Sequence, residues 1–142
     1  MLIMLGQSGG SDKVKLERVA LNMMDSKLPD NDGYIPNEEP INIETPAALF
    51  TNTPIKSLRA AIEEQGISVK ISNSCGLYVC NRLYYEALML CKKCHMKSIF
   101  IHLPFYEGQP SAKPNKPTMP QNDMVKAILT IIEKINDKYR EF

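Results

Sequence analysis

The sequence lacks an excess of either charge: 17 Lys and Arg against 16 Asp and Glu leave a formal net charge of +1 over 142 residues. That balance supplies no broad field to recruit nucleic acid or an anionic membrane surface. Aromatic and basic residues do not interleave into a stripe, so a nucleic-acid partner is not expected. No apolar run approaches the roughly 20 residues that a spanning helix needs. Residues 1–5 are too short for a signal-peptide core and lack a basic flank, which predicts a cytoplasmic protein with no membrane partner. Internal repeats are absent as well. A chain of 142 residues buries one core but hardly two, so a single domain over residues 1–142 is expected.

What is present is an alternation of strand-like and helix-like segments. Strands are expected at 1–5, 14–22, 67–72 and 98–103. Helices are expected from Pro54 to Gly66, across Cys80 to about residue 91, and from about 121 to 138. Pro54 suits a first helical position, and Ile55, Leu58, Ala61 and Ile62 then share one face. In the last helix Met124, Ala127, Ile128, Ile131, Ile132 and Ile135 form an apolar stripe at helical spacing. Pro104, Pro110, Pro114, Pro117 and Pro120 crowd one segment with Gly108 and Ser111, which reads as an exposed loop. Strands alternating with helices predict an α/β layered sheet.

The most informative stretch is Ile71-Ser72-Asn73-Ser74-Cys75-Gly76-Leu77-Tyr78-Val79-Cys80-Asn81. An apolar strand enters a Ser/Asn/Gly turn, and a helix opens directly after it. Cys80 falls in the first helical turn, where unpaired N–H groups and the helix dipole favour negative charge and bias a thiol toward thiolate. A buried structural cysteine is the plain alternative. His102 ends the strand Ile99-Phe100-Ile101-His102-Leu103, with Phe100 and His102 on one face, at the sheet end where α/β folds gather their chemistry. Glu17 lies in the apolar run from Val14 to Asn22 and shares a face with Val19 and Leu21; a carboxylate there needs a partner, and histidine is a suitable one. Cys80, His102 and Glu17 together supply the nucleophile, base and orienting carboxylate of a thiol hydrolase.

Of the four cysteines, Cys91 and Cys94 with His95 spell Cys-x-x-Cys-His, a haem-attachment pattern. No export signal accompanies it, and no second paired motif completes a zinc site. It reads instead as a polar helix end, with Lys92 and Lys93 favourable near the carboxyl terminus. Disulfides are not expected in a cytoplasmic protein.

The Ser-Cys-Gly-Leu-Tyr-Val-Cys-Asn core resembles the nucleophile motif of the pyroglutamyl peptidase I family. Gly6-Gln7-Ser8-Gly9-Gly10 followed by Leu16-Glu17-Arg18-Val19-Ala20-Leu21-Asn22 resembles its glutamate motif, and Phe100-Ile101-His102-Leu103-Pro104-Phe105 with Gln109 its histidine motif. Leu28-Pro29-Asp30-Asn31 and Pro46-Ala47-Ala48-Leu49-Phe50 fit in the same order. The resemblance implies a layered α/β/α sandwich with a mostly parallel, twisted mixed sheet, truncated at its N-terminus relative to the family. It implies a cysteine peptidase that removes pyroglutamyl residues from peptide N-termini, with Cys80, His102 and Glu17 catalytic and no metal or organic cofactor. The N–H groups at the helix start, that of Cys80 included, would form the oxyanion hole, and Gln7, Tyr78 and Val79 would hold the lactam.

The chain also departs from the family pattern. Lys27 stands in place of a usual arginine near the site, an auxiliary charge without a planar fork of donors. Lys15 replaces a usual Ser/Thr, Leu77 replaces a usual threonine, and the upstream Gly-Phe-Glu-Pro-Phe-Gly-type loop that walls the ring has no counterpart. The missing wall predicts little or no turnover. An unpaired sheet edge would invite another copy, so a homo-oligomer is expected. The alternatives are a relative that folds or assembles without turnover, and a cysteine hydrolase acting on another amide.

Overall fold

A computed structural model of the chain describes residues 1–109 and 115–140. The strands are β1 (Leu2–Gln7), β2 (Val14–Glu17), β3 (Val19–Leu21), β4 (Ala48–Phe50), β5 (Val69–Ser72), β6 (Ser98–Leu103), β7 (Phe105–Tyr106) and β8 (Thr118–Met119). The helices are α1 (Ile55–Glu63), α2 (Val79–Lys93) and α3 (Gln121–Arg140). A four-stranded sheet runs in the order β1-β6-β2-β5, and β3-β4 and β7-β8 form two-stranded sheets. The fold is α/β with a mixed, mostly parallel sheet, as expected. No helix among the described residues is long and apolar enough to cross a membrane.

The chain divides into two compact units, each assembled from three separate stretches. The first holds Met1–Met4, Glu17–Thr53 and Ser72–Phe100. Its core joins Met4, Ala20, Tyr84, Tyr85, Ala87, Leu88 and Phe100, with the Tyr84 and Phe100 rings tilted at 5.7 Å between centroids. Here α2 packs on β3 and β4, which pair antiparallel with Val19 opposite Phe50 and Leu21 opposite Ala48. Buried tyrosine hydroxyls need acceptors: that of Tyr84 donates to the Glu17 carbonyl at 2.9 Å, that of Tyr85 to the Pro46 carbonyl.

Asn81, 1% exposed, fastens α2 to the other side of this core. Its Oδ1 accepts the Leu21 N–H at 2.9 Å, and its Nδ2 donates to the carbonyls of Leu21 at 2.8 Å and Met23 at 2.9 Å. One side chain thus completes the backbone bonding of the free edge of β3.

The second unit holds Leu5–Leu16, Pro54–Ile71 and the chain from Ile101 onward. In it α1 packs on α3. The buried residues of α1 are Ile55, Leu58, Ala61 and Ile62, the face that helical periodicity predicts. Met124, Ala127, Ile131 and Ile135 of the predicted α3 stripe are buried, with Ile128 and Ile132 half-buried. Each fully buried Leu, Ile or Met side chain among them contributes about 1.5–3 kcal/mol. Pro54 occupies the N-cap of α1, one residue before the expected position, and its carbonyl accepts the Leu58 N–H. Gly66, at φ +75°, ends the helix in the left-handed region, and the Ile67 N–H turns back to the Ile62 carbonyl, so β5 begins at Val69 rather than at residue 67.

Three expectations are corrected. The apolar run at 14–22 is two strands, because the chain changes partner at Arg18: its N–H donates to the Ser72 carbonyl, while its carbonyl accepts the Thr51 N–H. Leu16 and Glu17 are both buried, as are Val19 and Ala20, so no single alternation runs through the segment and sets Glu17 on one face with Val19 and Leu21. β4, in the chain before α1, is not among the expected strands, being too short to carry a periodic signal. The proline-rich loop contains the parallel pairing of Phe105 with Thr118 and of Tyr106 with Met119; its Pro110, Ser111 and Pro114 lie outside the described residues.

Asn81→Ala is expected to leave the Leu21 N–H and the carbonyls of Leu21 and Met23 without this partner and to destabilise the fold by about 3 kcal/mol or more, each orphaned group costing about 1–3. Urea unfolding followed by circular dichroism reads the change, and a loss under about 0.5 kcal/mol, the scale of an ordinary surface substitution, would show that the clamp carries little.

Candidate active site

β5 delivers the chain into a turn whose hydroxyls bond to its own backbone. Ser72 Oγ donates to the Ser74 carbonyl at 3.0 Å, and Ser74 Oγ accepts the Gly76 N–H at 3.2 Å. Gly76 then takes φ +84°, a conformation open to glycine at no steric cost. α2 starts at Val79, with Tyr78 as its N-cap and no capping side chain. The first N–H groups of a helix have no intrahelical partner, and Cys80 is the second residue. Two bonds press the loop after β3 against this start: the Asp25 N–H donates to the Leu77 carbonyl at 2.9 Å, and the Tyr78 hydroxyl to the Pro29 carbonyl at 2.5 Å.

The first unit brings together Glu17, Cys75 and Cys80. Glu17 is fully buried at the end of β2, and Cys80 is half-buried against the core cluster. The Cys75 sulfur lies 3.5 Å from Asn81 Oδ1 and 3.9 Å from the Val19 carbonyl. Burial pushes its thiol up to about 12, and the nearby negative charges of Glu17 and of a Cys80 thiolate push the same way. Cys75 therefore stays a thiol at neutral pH and serves as a hydrogen-bond donor. Burial likewise raises the Tyr84 hydroxyl well above the usual phenol range.

The second unit holds His102 and Gln7. His102 is buried near the end of β6, a strand whose residues from Ser98 to His102 are all buried. Gln7 ends β1 and exchanges amide hydrogen bonds with Gln109 at 2.9 and 3.1 Å; Gln109 Oε1 also accepts the Tyr106 N–H. The glycine turn after β1 lies against Phe105, where a Cβ on Gly9 would stand 2.4 Å from the ring, so only glycine fits without displacing the aromatic.

The remaining expected residues are less engaged. Val79 is exposed, and with Tyr78 it lines a small cavity beside Asp30, Tyr34 and Arg82. Lys27 is exposed in the loop after β3. Cys91 is buried, Cys94 caps the carboxyl end of α2 and His95 follows at φ +54°, with Lys92 and Lys93 in the last turn. Among the described residues no group of three His, Cys, Asp or Glu side chains could hold a metal ion. Sequence reasoning missed Asn81 and Cys75 as neighbours of Cys80; the signal for them was their place within the same short motif.

The α/β fold thus carries a cysteine in the opening turn of a helix that follows a sheet strand, and a histidine near the end of another strand. The profile of the pyroglutamyl peptidase family matches residues 1–138, and the chain belongs to that family. It is 43% identical over 136 residues to pyrrolidone-carboxylate peptidase 1 of Caldanaerobacter subterraneus, covering 94% of this chain and 67% of that protein. It is 41% identical over 138 residues to the pyrrolidone-carboxylate peptidase of Streptococcus pneumoniae, covering 96% and 64%. The crystal structure of pyrrolidone carboxyl peptidase from Thermococcus litoralis superposes with a TM-score of 0.90 at 30% identity, covering 98% of this chain and 66% of that one. The chain thus spans about two thirds of the length of these relatives.

Iodoacetamide at neutral pH is expected to label Cys80 and Cys94 and to spare Cys75 and Cys91, since alkylation needs a reachable thiolate. Peptide mapping after a brief pulse reads all four, and labelling of Cys75 at the rate of Cys94 would contradict its burial.

Proposed function

We propose that the protein is a cysteine peptidase that removes an N-terminal pyroglutamyl residue from peptides. The observation that carries this reading is the half-buried Cys80 in the first turn of α2, in a chain that belongs to the pyroglutamyl peptidase family. In the proposed reaction the Cys80 sulfur attacks the pyroglutamyl carbonyl. The tetrahedral oxyanion is received by the N–H groups at the start of α2, one such donor being worth about 3 kcal/mol. His102 takes the thiol proton and passes it to the departing amine, leaving a pyroglutamyl thioester that water then hydrolyses with His102 as base. Glu17 holds the imidazole in orientation and stabilises its charged form; full burial makes this carboxylate sensitive to the presence of a cation.

Gln7, braced by Gln109, supports the reading as an amide aimed at a lactam, which offers both an N–H and a carbonyl. Backbone at Tyr78 and Val79 completes the ring contacts, and Lys27 is an auxiliary charge at the rim. Self-association belongs to the same reading. Leu5, Tyr106, Val125 and Leu129 are large apolar side chains left exposed in the second unit, beside edge strand β1, and a second copy would cover them.

The expected outcome is release of fluorophore from a pyroglutamyl-aminocoumarin substrate, falling by about a thousandfold or more in Cys80→Ala and in His102→Ala. Activity that survives Cys80→Ala, or no release by the unaltered chain, would overturn the proposal.

A further inference from the structure

The peptidase reading leaves one polar cluster of the second unit unused. Lys15, half-buried on β2, directs its ammonium to the hydroxyl of Ser8 at 2.6 Å. Ser8 sits in the glycine turn after β1, and its N–H donates to the Leu103 carbonyl at 2.8 Å, which sets the pair beside the residue that follows His102. At the same turn the Lys116 ammonium comes within 3.9 Å of the point that a Cβ on Gly10 would occupy.

The hydrogen bonding of the pair is directional. An ammonium only donates, so Ser8 Oγ accepts from Lys15 and keeps its own hydrogen to donate elsewhere, while Lys15 keeps further N–H donors. Among the described residues no carboxylate forms an ion pair with Lys15 or Lys116. A half-buried ammonium has lost part of its hydration, and an anion that accepts from both Lys15 and Ser8 would restore it. Gly9 lies against the Phe105 ring, whereas Gly10 is exposed and presents no side chain, which leaves an approach on that side of the turn.

We propose that Ser8, Lys15 and Lys116 form a carboxylate subsite for the part of the peptide that leaves. The proposal rests on the peptidase reading for its role, and deepens it: the enzyme prefers pyroglutamyl peptides with a carboxylate close behind the scissile bond. Two sources share that chemistry, the terminal carboxylate of a dipeptide and an acidic side chain on the residue after pyroglutamate.

The test compares kcat/KM for pyroglutamyl-alanine, pyroglutamyl-alaninamide and pyroglutamyl-glutamic acid α-amide in the unaltered chain, Lys15→Met, Lys15→Arg and Ser8→Ala. At low salt one or both acids are expected to exceed the neutral amide by about tenfold, the scale of one charge-assisted hydrogen bond. That ratio should shrink in 0.5 M salt, collapse toward one in Lys15→Met, fall part-way in Ser8→Ala and persist in Lys15→Arg. Which acid wins identifies the source. Turnover of the amide with no preference for either acid, or a preference that survives Lys15→Met, overturns the subsite and leaves the peptidase reading standing. If no peptide is cleaved, the peptidase reading fails, and calorimetric binding of the same three peptides to Cys80→Ala decides the subsite. A preference for acids that Lys15→Met removes supports it; equal binding, or none, overturns it. Circular dichroism verifies the fold of each variant.

Discussion

Asn81 ties the opening turn of α2, which carries Cys80, to β3. Its amide bonds to Leu21 and Met23 replace the neighbour strand that the free edge of β3 lacks, and they do so from the residue next to Cys80. The same Oδ1 accepts from the Cys75 thiol, so the turn before the helix is drawn into the arrangement. Tyr84, one turn further along, reaches the carbonyl of Glu17. Helix start, turn and buried carboxylate are therefore fixed by polar contacts that leave α2, while its apolar face supplies the burial.

Much of this was legible in the sequence, for physical reasons that differ by element. The apolar faces of α1 and α3 follow from a 3.6-residue period sustained over two or more turns. β6 is legible because a run such as Ile99-Phe100-Ile101 reads as a strand buried on both faces. The partner change at Arg18 is invisible because β2 and β3 form one continuous run with no turn residue between them; only the long-range partners, Ser72 and Thr51, divide them. β4, β7 and β8 have two or three residues each, fewer than a periodicity needs.

The site divides in the same way. Cys80 stands out because turn chemistry and helix start coincide in a few residues, and the five motifs then lead to the family that the profile also identifies. Contacts across long stretches of chain were not legible. Gln7 meets Gln109 across 102 residues, and Lys15 meets Ser8 around a turn whose geometry depends on the glycines and on Phe105. Lys15 had been notable only as a departure from the family pattern; its partner gives it a chemical direction.

The silent thiol beside Cys80 has a consequence for oxidative damage. Peroxide oxidises thiolates, and a sulfenic acid closes to a disulfide only when a neighbouring thiolate attacks it. Cys75 is too weak an acid to act in that way near neutral pH. An oxidant that enters the site would therefore convert Cys80 stepwise to higher acids, with no internal disulfide to arrest the process, and low-molecular-weight thiols would have to rescue it from outside.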